Sequence, residues 1–152
     1  MNKTKLKRIE NYMRFYKGEK IPYINIYGYH KIDDYKVITN GYSLIFLKDL
    51  DDSFNEMKRD MKTIIQEKYN KIINELGNST ELKYNDLGEY VFRNDELDSN
   101  MIFDLTLVNR ILGIVGKKCR FYVLDEEETL AKKTLVVKND KGEIAYILPM
   151  KI

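Results

Sequence analysis

Two stretches of this chain spell the same order of elements, and that duplication limits what it can fold into more than any other feature. Leu6 to Leu47 and Leu105 to Met150 each read helix, strand, strand, turn, strand. In the first stretch, Leu6, Ile9, Met13 and Tyr16 recur at helical spacing and Gly18 supplies a stop, so a helix is expected from about Thr4 to Lys17. Tyr23, Ile24, Ile26, Tyr27 and Tyr29 predict a strand between Ile21 and His30, followed by a turn at Asp33-Asp34. Tyr35 to Thr39 and Tyr42 to Leu47 then flank Asn40-Gly41, a dipeptide that marks a hairpin because both residues tolerate the left-handed backbone of a tight turn.

In the second stretch, Leu105, Leu107, Val108, Ile111, Leu112, Ile114 and Val115 predict a mostly buried helix closed by Gly116, with Asn109, Arg110 and Lys117 on its polar side. Three strands follow, at Cys119 to Leu124, Leu130 to Lys138 and Glu143 to Ile152, the last two joined by a turn at residues 139–142. Between the halves, Ser53 and Glu56 have capping-box spacing. Phe54, Met57, Met61, Ile64, Ile65, Ile72 and Leu76 fall on one arc, predicting a long helix from about Ser53 to Leu76, ended by Gly77-Asn78. Ser79 to Asn100 is weakly patterned, with strand character near Glu89 to Arg93 and an acidic loop at Asp95, Glu96 and Asp98.

The whole, at 152 residues, suits one domain, and 43% hydrophobic content is enough to build a core. The expected class is α+β: a single domain, residues 1–152, of two pseudo-repeated helix-plus-strands halves (about 3–50 and 103–152) with the long helix (about 53–76) between them. One cysteine, Cys119, cannot close an internal disulfide, and one histidine, His30, leaves no Cys/His zinc set, so neither a metal nor a cofactor is expected. No apolar stretch approaches the roughly 20 residues of a membrane span. The basic start, Met1 to Arg8, leads into an amphipathic pattern rather than a signal peptide, so a cytoplasmic protein without a membrane partner is expected.

At the first hairpin the chain reads Val37-Ile38-Thr39-Asn40-Gly41-Tyr42-Ser43-Leu44, and it finishes Ala145-Tyr146-Ile147-Leu148-Pro149-Met150-Lys151-Ile152. These segments resemble two signatures of the bacterial DNA polymerase III sliding clamp: an internal Thr-Asp-Gly-(Tyr/His)-Arg-Leu hairpin and a terminal Met-Pro-Met-Arg-Leu. Clamp domains are themselves pairs of helix-plus-strands halves, and the resemblance covers about one such domain, mainly Leu6 to Leu47 and Phe103 to Ile152. It lapses at the long helix. Asn40 stands where the family has an acidic residue, Ser43 where it has arginine, and Leu148, Lys151 and Ile152 replace the methionine, arginine and leucine of the terminus. The resemblance implies a partner-peptide groove lined by Thr39, Gly41, Tyr42 and Leu44 with Ile147, Leu148, Pro149, Met150 and Ile152. In clamps that groove takes the two signatures from adjacent domains, so a one-domain chain would need a neighbouring subunit or would use the surfaces separately. The plainer alternative is that Leu148, Pro149 and Met150 finish an edge strand.

Lys and Arg number 26 against 24 Asp and Glu, a net charge of +2 that does not mark a nucleic-acid binder as a whole. Charge is segregated, however. Lys3, Lys7 and Arg14 on the first helix, with Lys17 nearby, and Arg110 and Lys117 on the second, with Lys118 following, match the helix cations that clamps turn toward DNA. Such contacts are nonspecific and salt-sensitive; the competing reading is a solvated helix face. The acidic run Asp125 to Glu128 reads as a solvated hairpin turn. His30 has no nucleophile at a known motif. Lys117 and Lys118 beside Cys119 could lower its pKa, but a small strand residue is the better reading. Asp33-Asp34 and Asp51-Asp52 lack a second ligand set, and the twelve tyrosines fill the sheet or offer stacking platforms.

Two functions follow as expectations. One is a non-enzymatic clamp-like binding protein in replication or another DNA-associated process, a homo-oligomer contacting replication or repair proteins and, nonspecifically, DNA. The other is a phage or mobile-element protein that binds and inhibits host-defence or replication machinery. Abundant Lys, Asn, Ile and Tyr with few Ala suit the AT-rich genomes in which either would occur.

Overall fold

The computed structural model describes residues 1–21 and 24–152, so Tyr23 of the expected first strand lies outside the described residues. Helix α1 (Lys3–Arg14) starts where the Asn2 side chain accepts the Lys5 N–H at 2.8 Å, satisfying one of the free donors of the first turn. It stops before Lys17 because Phe15 turns extended. Strands β1 (Phe15–Tyr16) and β2 (Glu19–Lys20) then pair around Lys17 and Gly18, whose positive φ values of 53° and 81° suit a two-residue hairpin.

Part of the expected first strand is instead a 3-10 turn, Ile24–Ile26, and β3 spans only His30–Ile32. Gly28 breaks the run: its φ is +122°, and its backbone abuts Asn55 to Met57 so closely that Tyr29 exchanges hydrogen bonds with Asn55 and Met57. Strands β4 (Tyr35–Thr39) and β5 (Ser43–Leu47) form the Asn-Gly hairpin. Its register, Thr39 opposite Leu44, leaves a four-residue loop rather than a two-residue one.

The largest departure is the long helix, of which only Lys62–Glu75 (α2) is helical, with a 3-10 turn at Leu76–Asn78. The carboxylate of Asp51 takes the Ser53 N–H at 2.8 Å and nucleates a turn there, so the capping box never forms. Residues 54–57 instead run as a strap that buries Phe54 and Met57 and pairs with Tyr29. Beyond α2 lie β6 (Thr80–Leu82), a 3-10 turn (Tyr84–Glu89), and the hairpin β7 (Val91–Asn94) and β8 (Ser99–Ile102), which turns at the acidic loop. Helix α3 (Leu105–Val115) is capped by Asp104, which accepts the Thr106 N–H at 3.0 Å, and ends at Gly116 with φ +92°. Strands β9 (Cys119–Glu126), β10 (Lys132–Asn139) and β11 (Ile144–Ile147) follow. The expected strand to Ile152 breaks at Leu148-Pro149, where proline has no N–H to give the ladder, and β12 (Met150–Lys151) joins another sheet.

The main sheet is antiparallel with seven strands in the order β3-β4-β5-β11-β10-β9-β6, and a three-stranded sheet has the order β12-β8-β7. At the centre, β5 pairs with β11, with Leu44 opposite Tyr146. Helices α1 and α3 lie side by side over one face. Ile9, Tyr12, Met13, Val108 and Ile111 pack there with Ile38, Ile45, Leu135, Val137 and Ile147 of the sheet. Helix α2 covers the other face, where Ile65 and Ile72 join Val37, Phe46, Val136 and Tyr146. The mixed helix and strand content is that of an α+β protein, and the central strands are buried on both sides. That is why Ser43–Leu47 and Ile144–Ile147 are near-continuous apolar runs instead of alternating.

Two arginines tie α1 to α3. Arg8 Nη1 donates to the Gly113 carbonyl at 3.1 Å, and Arg110 Nη1 donates to the Phe15 carbonyl at 2.8 Å. Both acceptors lie at helix C-terminal ends, where unpaired carbonyls and the helix dipole favour a cation.

Candidate partner-binding surface and basic cleft

The hairpin loop is organised by Asn40, which is fully buried. Its Oδ1 accepts the Tyr42 N–H at 3.0 Å and the Ser43 hydroxyl at 2.8 Å, an Asx turn that fixes the loop. Thr39 Oγ1 accepts the Gly41 N–H at 3.0 Å and donates to the Ser43 carbonyl at 2.7 Å. Ser43 also shares a 2.6 Å hydrogen bond with the Tyr12 phenol of α1, whose burial pushes its pKa far above the usual tyrosine range. Ser43 is thus enclosed, 4% exposed and held between Asn40 and Tyr12.

The hairpin and the C-terminal segment lie side by side: Ile147 lies opposite Ser43, and the Leu148 N–H donates to the Tyr42 carbonyl at 3.1 Å. The nine expected groove residues divide by burial. Thr39, Leu44 and Ile147 are interior, Leu44 beneath α2 and Ile147 beneath α1 and α3, so their side chains cannot line a surface groove. Gly41, Tyr42, Leu148 and Ile152 are exposed, and Pro149 and Met150 half-buried. Tyr42 stacks on Tyr16 with ring centroids 4.4 Å apart, and Lys17 reaches Met150 Sδ at 3.9 Å, so the β1–β2 hairpin borders this patch. The Tyr16 phenol donates to Asp104 at 2.7 Å; burial and that carboxylate hold it protonated far above the ordinary range.

Of the expected DNA-facing cations, Lys3, Lys7, Arg14 and Lys117 are exposed. Arg14 lies over the Tyr27 ring at 4.8 Å. Arg110 is half-buried and engaged by Phe15, so it serves helix packing first. The acidic run is not wholly solvated. Glu126 is 1% exposed, its carboxylate accepting from the Tyr146 hydroxyl and from Lys68 Nζ at 3.1 Å. Among the described residues, no three His, Cys, Asp or Glu side chains converge as metal ligands, and no helix is long and apolar enough to cross a membrane.

A cleft of about 880 Å³ opens elsewhere, between the outer side of α3 and the β6–β9 edge. Arg8, Lys83, Lys117 and Arg120 line it, with Tyr84 on its wall and the buried Phe121 beneath. A second cleft of about 450 Å³ shares Lys117, Cys119 and Arg120 with the first and adds Lys118, Tyr122 and Lys138. Lys83, Tyr84 and Arg120 had no signal in the sequence, because two separate segments supply them and bring them to Arg8 of α1. Burial pushes the Cys119 thiol up to about 11, with the nearby carboxylates of Asp140 and Glu143 adding to the effect.

No protein-family model matches the chain, and no curated protein or solved structure matches it either.

Proposed function

We propose that this chain is a non-enzymatic binding protein built as one clamp-like domain. It acts in replication or another DNA-associated process through a partner-peptide surface and through phosphate contacts on the α1 and α3 side. One observation carries the reading: residues of the two helices and of the two central strands match at one interval, which β4 and β10 beside them do not keep. Asn2 and Asp104 cap the two helices; Thr4 and Thr106, Arg8 and Arg110, and Ile9 and Ile111 follow at that same interval; and so do Leu44 and Tyr146, which face each other at the central strand pair. A two-fold relation between helix-plus-strands halves produces this pattern, and clamp domains are organised in that way. The meeting of Tyr42 with Leu148 adds support, because it brings exposed residues of the two clamp-resembling segments next to each other. The exposed part of that surface, Tyr42, Leu148, Pro149, Met150 and Ile152, offers adaptable apolar contacts suited to a short hydrophobic peptide.

Helix α2 covers the face opposite α1 and α3, so DNA contact falls to Lys3, Lys7, Arg14 and Lys117. A ring would form by head-to-tail pairing of the free edges of β3 and β6, the two outer strands of the main sheet. Solution mass measured with and without duplex DNA tests the reading. Self-association, with duplex binding that weakens steeply as salt rises, is expected. A strictly monomeric protein with no salt-sensitive duplex binding would overturn it.

A further inference from the structure

We propose that the basic cleft beside α3 holds a segment of single-stranded nucleic acid, its phosphates on Arg8, Lys83, Lys117 and Arg120 and a base stacked on Tyr84. The proposal stands independently of the clamp-like reading, because it rests on one cleft of one chain. The two contiguous clefts gather six cations, Arg8, Lys83, Lys117, Lys118, Arg120 and Lys138, against two carboxylates, Glu81 and Asp140. A molecule of net charge +2 has thus concentrated an excess of positive charge in one concave place. Among the described residues, only Arg120 has a carboxylate partner there, Glu81 at 3.6 Å, and it remains 74% exposed. Arg8 spends one N–H on the Gly113 carbonyl at 3.1 Å, which fixes its guanidinium at the cleft and leaves its other donors available.

The aromatic component selects a nucleic-acid strand over a simple anion. Tyr84 is 42% exposed, yet its ring is not free to swing. The hydroxyl donates to Asn109 Oδ1 at 2.7 Å, and the ring leans on Phe121 with centroids 6.0 Å apart. A fixed aromatic face beside a row of cations is the combination that binds single strands without reading sequence, since every base has a face to stack. Tyr122 continues the aromatic lining in the second cleft, and Lys118 and Lys138 continue the cations with it.

Fluorescence anisotropy tests this with a labelled oligothymidylate of about twelve nucleotides, an abasic strand of equal length, a duplex and dTMP. Each is titrated at two salt concentrations on protein whose mass is measured in parallel. The oligothymidylate is expected to bind saturably, roughly tenfold or more tightly than the abasic strand, the margin that base stacking supplies. Tyr84→Ala should remove that margin and leave abasic binding in place, whereas Tyr84→Phe, which keeps the ring, should retain it. Lys83→Ala combined with Lys117→Ala should weaken both strands and lower the salt slope by roughly 0.7 for each phosphate no longer neutralised. Equal binding of the two strands, no effect of Tyr84→Ala, duplex or dTMP binding as tight as the oligothymidylate, or no saturable binding would each overturn the proposal. Loss of self-association or of duplex binding would instead bear on the clamp-like reading alone.

Discussion

Single residues in this protein are governed by how closely the backbone or an interior charge is approached. A Cβ built on Gly28 would lie 2.5 Å from the Asn55 carbonyl oxygen and 2.9 Å from the Met57 nitrogen, and its φ of +122° already disfavours a side chain. Gly28→Ala is therefore expected to cost about 2 kcal/mol or more, read as a lower midpoint in urea, because strain and clash add. Glu126 is the second such position. Its side chain is fully buried and Lys68 is 22% exposed, so Glu126→Ala strands a partly buried ammonium and the Tyr146 hydroxyl together. A loss of about 3 kcal/mol is expected in the same measurement, with Glu126→Gln milder because it can still accept from Tyr146. Cys119 behaves oppositely to a reactive thiol. With its pKa raised to about 11, the thiolate fraction at pH 8 is small, so alkylation by iodoacetamide should be slow there and quicken as pH rises toward 11. Fast alkylation at pH 7 would contradict the raised pKa of this half-buried thiol.

Among the elements, those whose boundaries rest on local chemistry were legible. Helix α3 runs over the expected residues because Asp104 and Gly116 bracket it and its apolar positions are dense, and the hairpin at Asn40-Gly41 and the turn at residues 139–142 form where expected. The failures came where distant parts of the chain compete for the same residues. Ser53 to Met61 has helical periodicity, yet Phe54 and Met57 satisfy it as anchors of a strap that Tyr29 holds by backbone hydrogen bonds, and no local pattern encodes Tyr29's arrival. The groove residues failed differently. The resemblance puts Leu44 and Ile147 on a groove, yet they lie in near-continuous apolar runs that go to the core, Leu44 beneath α2 and Ile147 beneath α1 and α3. The cleft was illegible because its cations are scattered over α1, the turn between α3 and β9, β9 and the segment after β6. At this scale Gly113 offers a test. It sits within α3, where a Cβ would meet Arg8 Cδ at an ordinary 3.5 Å, so Gly113→Ala should stabilise the protein by about 0.5–1 kcal/mol in thermal or urea melts.

For the whole molecule, the sheet order sets a hierarchy of stability. The central pair β5 and β11 is covered by helices on both faces, whereas β3 and β6 each have a free edge. Hydrogen exchange should follow that order: amides of Ile45 and Ala145 exchange only through global opening, and those of β3 and β6 exchange by local fraying. Equal protection across the sheet would show that the edges are covered, as a head-to-tail ring would require.

The same central pair sets the order of events during synthesis. β5 is complete at Leu47 and pairs with β4 on one side, but its partner on the other side begins only at Ile144, so the first half must wait with one edge of its most apolar strand open while the intervening residues are made. At ordinary ribosomal speed that wait is on the order of ten seconds. A nascent chain in this condition presents an open, apolar strand edge, and one released before Ile144 would keep it permanently. The architecture thus concentrates the hazard of aggregation in the interval before the last strand emerges, and a cell making this protein in quantity has reason to shield β5 until then.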